Sequence, residues 1–211
     1  MRKLIGTSWL AAAFWGAMTS SAAAEPPERV GPNGFLLWES PRDVAEISFE
    51  DGDGTPLTLA DFEGKLILLN IWATWCGPCR KEMPTLDALQ AELGSDDFEV
   101  VALSIDRQGI DVVNEFYQEV GIEHLARYVD KSGMASADLG AVGIPSTLLL
   151  DRQGKEIGRL VGEAEWNTPE MIEFLSQTIE AASLSNRQSP NNGSQPISQT
   201  ARVEAPSLAA G

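Results

Sequence analysis

The chain has 211 residues, with 31 acidic side chains against 15 basic ones, a formal net charge of −16 and one histidine. So negative a molecule repels nucleic acid and anionic membrane, and neither is an expected ligand. The charge suits a solvated, solubilising surface and is compatible with basic protein clients.

The first residues read as an export signal. Arg2 and Lys3 make a short basic start, Leu4 to Met18 is largely apolar, and Ala22-Ala23-Ala24 closes the stretch before Glu25. Cleavage near Ala24 is expected, which places the protein in the periplasm; retention of residues 1–24 as an inner-membrane anchor is the alternative. A lipoprotein would need a cysteine at the cleavage site, and there is none. Both cysteines of the chain fall in one later motif, which avoids stray disulfides in an oxidising compartment.

Residues 25–44 carry Pro26, Pro27, Pro32 and Pro41 among scattered charges, the composition of a linker with partial order. Ile47 to Glu50 and Pro56 to Thr58 flank Asp51-Gly52-Asp53-Gly54, which predicts a small β-hairpin. The acidic turn does not read as a calcium loop. Pro56 stands where an EF-hand needs glycine, and Phe62 where it needs a bidentate glutamate.

Leu66 to Trp72 is apolar almost without alternation, as expected for a central strand buried on both faces. It leads into Trp75-Cys76-Gly77-Pro78-Cys79, and a helix-forming run from Arg80 to Leu93 leads out. Met83, Leu86, Leu89 and Leu93 have helical spacing, and Pro84 predicts a kink. A thiol at a strand-to-helix junction meets unpaired N–H groups and the helix dipole, which favour thiolate over thiol. The second thiol follows one turn later, and Pro78 falls in the first turn, where its missing N–H costs little. Such a pair passes two electrons to or from another protein through a mixed disulfide.

Other readings of the two cysteines fare worse. A zinc half-site would need two further ligands, yet His124 is the only histidine. A structural staple across so short a loop removes little unfolded-state entropy. Two unrelated buried cysteines would leave the strand, the proline and the helix around them without a purpose.

Phe98 to Ile105 predicts the next strand and Ile110 to Val120 a helix, with a short edge element at Ala126 to Val129 and a helical turn at Ser136 to Leu139. Ser146 to Leu150 and Glu156 to Val161 flank Asp151-Arg152-Gln153-Gly154-Lys155, a strong hairpin signal. Thr168-Pro169-Glu170 opens a last helix that runs to Ala182. Residues 183–211 are rich in Ser, Asn, Gln and Pro and are expected to be disordered. This order predicts an α/β domain over residues 45–182, with a central mixed β-sheet flanked by helices and an N-terminal β-hairpin extension.

Three separated motifs carry a resemblance. The Trp-Cys-Gly-Pro-Cys run after an apolar strand, Pro84 beyond it, and Gly143-Ile144-Pro145-Ser146-Thr147 before a strand look like the thioredoxin superfamily. Asn70 to Pro84, Phe98 to Ala102 and Gly162-Glu163-Ala164-Glu165-Trp166 resemble its TlpA-like branch, which is related to ResA and CcmG and consists of exported thiol–disulfide oxidoreductases. The resemblance implies a thioredoxin-like fold. It makes Cys76 the attacking, partly exposed nucleophile and Cys79 the buried resolving thiol, with their disulfide as the redox group and no cofactor or metal. It also implies a cis peptide bond at Pro145, facing Cys76 and leaving the backbone of Ile144 free to pair with a client's extended chain. Trp75, Gly77, Pro78 and Ile144 are then the expected client contacts, while Trp72 is either a shield for the pair or core.

One departure from thioredoxin matters. Thioredoxin keeps a buried Asp on the strand before its motif, and Asn70 stands there instead, unable to take a proton. Glu82 lies one turn beyond Cys79 on the same helical face, and ResA-like relatives carry a functional Glu at the matching place. Glu82 is therefore expected to tune the pair and accept the Cys79 proton; a solvated carboxylate beside Lys81 is the alternative. Arg80 and Lys81 are expected to be mainly solvated, His124 to be a loop residue and Trp166 to serve packing.

The Gly-Pro pair between the cysteines resembles reducing thioredoxins, at about −270 mV, rather than DsbA-type oxidants near about −120 mV. The expectation is a monomeric protein disulfide reductase, supplied with electrons by a membrane thiol carrier of the CcdA or DsbD kind. Expected clients are proteins with cysteine pairs, either copper-site proteins of cytochrome oxidase or apocytochrome c. CcmG-like reductases carry a Glu after the cis-proline where this chain has Ser146, which tilts the reading toward the copper-site clients. The rival is a Sco-like copper chaperone without turnover, but that group uses Cys-x-x-x-Cys and a distal His, and His124 comes too soon. A peroxidase is disfavoured by Ala73, which stands where a peroxiredoxin has Thr.

Overall fold

The computed structural model describes residues 29–188; the expected signal segment, and the tail from Ser189 onward, lie outside the described residues. Strands β1 (Arg29–Val30) and β2 (Leu36–Arg42) come first, then the expected hairpin of β3 (Ser48–Asp51) and β4 (Pro56–Thr58). Next come β5 (Leu66–Trp72), α1 (Gly77–Leu93) and β6 (Phe98–Ser104), with β5 and β6 parallel. They are followed by α2 (Ile110–Val120), β7 (Tyr128–Val129) and the short α3 (Ala135–Asp138). The antiparallel pair β8 (Ser146–Leu150) and β9 (Glu156–Val161) and the long α4 (Pro169–Gln188) complete the domain.

The described strands form one nine-stranded mixed sheet in the order β1-β2-β9-β8-β5-β6-β7-β3-β4. Every residue of β5 is buried, because the strand lies between parallel β6 and antiparallel β8 with both faces covered. Successive side chains point to opposite faces. Leu66, Leu68 and Trp72 therefore join Met83 and Leu86 of α1, Phe116 and Tyr117 of α2, and Met171 and Leu175 of α4. Ile67, Leu69 and Ile71 join Phe49, Phe62, Tyr128 and Leu139 on the other face. The expected mixed sheet with flanking helices is thus the observed one. No helix among the described residues is long and apolar enough to cross a membrane.

Three expectations need correction. Within residues 25–44, the described part is no linker, because β2 pairs antiparallel with β9. Its prolines fall where no ladder N–H is needed: Pro32 opens a 3-10 turn, and Pro41 lies in the irregular stretch between the paired Leu37 and Arg42. Phe35 is fully buried against the rings of Trp166 and Phe174. A Cβ at Gly158 of β9 would come within 2.7 Å of Cε1 of Phe35 and 2.8 Å of the Leu36 carbonyl oxygen, so only glycine lets these strands approach. Second, β7 is not at an edge, because the β3–β4 hairpin docks on its far side. Third, α4 continues past Ala182 to Gln188, since neither Gly nor Pro intervenes before Pro190.

Candidate active site

The buried end of β5 delivers the chain to the start of α1, where Cys76 is the N-cap residue. Its Sγ accepts a hydrogen bond from the Cys79 backbone N–H at 3.3 Å, so the helix terminus addresses the sulfur directly. Cys76 and Cys79 are joined by a disulfide with Cα atoms 5.2 Å apart. Cys79 is completely buried and Cys76 is 6% exposed. Trp75, Gly77 and Pro78 are exposed around it, with Trp75 the most prominent apolar side chain beside the pair. Trp72, by contrast, is core: it is fully buried against the rings of Phe116 and Tyr117 and offers no client surface.

The loop before the cysteines is held by a residue that sequence reasoning did not single out. Buried Asp106 accepts from the Thr74 backbone N–H at 2.8 Å, the Thr74 hydroxyl at 2.9 Å and the Ser104 hydroxyl at 2.7 Å. A polar Ser-Ile-Asp run just past an apolar strand was the available signal. Arg80 also departs from expectation. Its guanidinium pairs with Glu119 at 2.8 Å, donates to the Thr74 carbonyl and lies over the Phe116 ring, because its planar head satisfies all three at once. Lys81 is exposed, 3.6 Å from Glu163, and His124 lies on an exposed loop.

Opposite the disulfide, the Ile144–Pro145 peptide bond is cis, and the Ile144 carbonyl oxygen lies 3.7 Å from Cys76 Sγ. Pro145 is buried and Ile144 half-buried. The loop is tied down on both sides: the Gly162 N–H donates to the Pro145 carbonyl at 2.9 Å, and the Ser146 hydroxyl to that of Gly143 at 2.6 Å. Cys76 and Ile144 therefore share one rim, and Cys79 lies beneath it.

Glu82 is not a surface carboxylate; it is 2% exposed. Its Oε1 accepts from Asn70 Nδ2 at 2.8 Å, and its Oε2 from the Ala164 N–H at 3.0 Å and Trp166 Nε1 at 3.2 Å. Burial pushes its carboxyl up to about 7, against the opposing pull of these three donors, and the nearby Glu163 charge adds to the rise. An acid poised near neutrality, one turn from Cys79, can both take and release a proton at physiological pH. Trp166 thus does more than pack. The Gly-Glu-Ala-Glu-Trp run marked its presence, but its reach to Glu82 depends on the loop after β9 folding over α1.

A family model described as Redoxin matches residues 41–174. The chain belongs to the Redoxin family. Among relatives of this redoxin is the thiol-disulfide oxidoreductase ResA of Bacillus cereus, 33% identical over 159 residues that cover 71% of this chain and 89% of the relative. Another is the thioredoxin-like protein YneN of Bacillus subtilis, 35% identical over 59% of this chain and 79% of that one. A solved structure described as a thiol:disulfide interchange protein DsbE, from Chlorobium tepidum, is 30% identical with a TM-score of 0.56, covering 68% of this chain and 97% of that one. A secreted thiol-disulfide isomerase of Corynebacterium glutamicum shares the fold at 23% identity and a TM-score of 0.57, over 72% of this chain and 95% of that one. The redoxin is therefore a thiol–disulfide oxidoreductase of ResA and DsbE type, carrying a Cys-x-x-Cys pair and acting on proteins with cysteines.

Proposed function

We propose that this redoxin is an exported, monomeric reductant of client disulfides, with Cys76 as nucleophile, Cys79 as resolving thiol and Glu82 as acceptor of the Cys79 proton. The observation that carries the reading is the layering of the site: Cys76, buried but for 6% of its surface, beside the Ile144 carbonyl, the fully sealed Cys79 below it, and a buried carboxyl one turn deeper. Cys76 thiolate attacks a client disulfide, forming a mixed disulfide and freeing one client thiolate. Cys79 then gives its proton to Glu82 and attacks Cys76 Sγ. The second client thiolate leaves, and the Cys76–Cys79 disulfide remains; the client gains two electrons and the pair loses them. An extended client segment meets the Ile144 backbone and the exposed Trp75, Gly77 and Pro78 surface, and no group beyond the disulfide is required.

The reducing direction rests on the Gly77-Pro78 pair between the cysteines. A reductant in an oxidising space needs electrons from elsewhere, which points to a membrane thiol carrier of the CcdA or DsbD kind. Copper-site proteins of cytochrome oxidase are the favoured clients, with apocytochrome c the second. The test is the reduction potential of the pair, equilibrated against glutathione and thioredoxin. A value near thioredoxin's, about −270 mV, supports a reductant; one near DsbA's, about −120 mV, overturns it.

A further inference from the structure

Asn70 is fully buried on β5, and its amide is used on one side alone. Nδ2 donates both to Glu82 Oε1 at 2.8 Å and to Thr147 Oγ1 at 2.9 Å, while Oδ1 is buried without a partner. Orphaned buried carbonyls are uncommon in native proteins and call for a reason. Asn70 and Thr147 are direct partners in the β5–β8 register, so both side chains reach the α1 side of the sheet together.

The hydrogen-bond inventory of Glu82 supplies the reason. Oε2 already accepts from two N–H groups that can only donate, those of Ala164 and Trp166. A proton taken up by Glu82 therefore belongs on Oε1. There it would point at the Asn70 NH₂, donor against donor. A half turn of the amide exchanges Nδ2 for Oδ1, which then accepts from the Glu82 hydroxyl and from the Thr147 hydroxyl. Threonine can serve as acceptor in one orientation and donor in the other, so the hydrogen bonds among the three side chains persist in both protonation states, and the far end of the amide is without a partner in each.

We propose that Asn70 is a positioning residue whose side-chain amide turns over each time Glu82 gains or loses its proton, donating to the carboxylate and accepting from the acid. This rests on the reading of Glu82 as proton acceptor. As Cys79 attacks Cys76 Sγ, the client–Cys76 bond breaks, the Cys76–Cys79 bond forms, and the client sulfur leaves with the electron pair. The Cys79 proton moves to Glu82 Oε1 and the amide turns. The proton then leaves through a cavity of about 330 Å³ lined by Asn33, Lys81, Glu82, Glu163, Ala164 and Glu165. The charged groups lining this cavity with Glu82 are Lys81 from α1 and Glu163 and Glu165 from the loop after β9, of which Glu163 acts on its carboxyl; β5 offers the uncharged Asn70, backed by Thr147 of β8.

Side-chain NMR on the isotope-labelled full chain across the neutral pH range tests this. The Asn70 Nδ2 signal is expected to move with the same midpoint as the Glu82 carboxyl carbon. The contact between the Asn70 amide hydrogens and Thr147 is expected to be present on the alkaline side and lost on the acid side. If Glu82 titrates while that contact persists throughout, the amide is fixed and the proposal is overturned alone. If Glu82 shows no titration, its role as proton acceptor falls too. A pair of variants gives a second measurement. Trp166→Phe removes a group that can only donate and is expected to raise the Glu82 midpoint by about one pH unit. Asn70→Ala removes a partner of both forms and is expected to move it by less than half as much. An equal or larger rise in Asn70→Ala would show a donor only and overturn the proposal.

Discussion

The substitution Glu82→Gln should make the protein more stable at neutral pH while slowing its chemistry. The carboxyl is raised from 4.5 to about 7 by burial. A folded-state acid that holds its proton more tightly than the unfolded chain binds more protons when folded, so stability falls as pH rises through that interval. The loss begins near the unfolded value and is complete above the folded one. Roughly 2.5 pH units at about 1.4 kcal/mol each make a penalty of about 3 kcal/mol, fully present at about pH 8 and absent below about pH 4. The Glu82→Gln variant would carry no such penalty. The new side-chain carbonyl can accept from Ala164 and Trp166, and the new NH₂ meets an acceptor once the Asn70 amide turns to bring its unpartnered Oδ1 to the place where Nδ2 now faces Glu82. Urea unfolding of the oxidised protein over a pH series should therefore give coincident curves in acid and a variant about 3 kcal/mol more stable at alkaline pH. Client reduction by the same variant should fall by about 10²–10⁴. Parallel stability curves at every pH would refute the account of a buried, raised carboxyl.

Cys79→Ser should stall after the first exchange and accumulate a Cys76–client disulfide, visible on non-reducing electrophoresis; no adduct would count against Cys76 as the attacking thiol. Phe35→Ala, which empties a fully buried site against Trp166 and Phe174, should cost about 3–5 kcal/mol by denaturant unfolding. A loss below about 1 kcal/mol would mean the β1–β2 segment is not part of the folded body. Asp87 Oδ1 accepts the backbone N–H groups of Glu123, His124 and Leu125 at 3.2, 2.7 and 2.9 Å. Asp87→Ala should therefore cost about 2–3 kcal/mol, and unchanged stability would show that water replaces the carboxylate.

Features built from neighbours in the chain were readable in advance. An unbroken apolar run marked β5 and helical spacing marked α1, and the cysteines between them defined a redox pair, because apolar runs, helix spacing and turn chemistry are local properties. The β3–β4 and β8–β9 hairpins were visible for the same reason. Residues 29–42 were not, since proline and charge mask a strand whose reason to exist is an edge on β9 and a pocket beside Trp166. Glu82 shows the division most sharply. Its place one turn past Cys79 follows from helix geometry, but its burial depends on Asn70 twelve residues before it and on Ala164 and Trp166 more than eighty residues after it. A carboxyl's protonation answers to the solvent and donors around it, and those are assembled by the folded sheet and its covering loop rather than by the residue's neighbours along the chain.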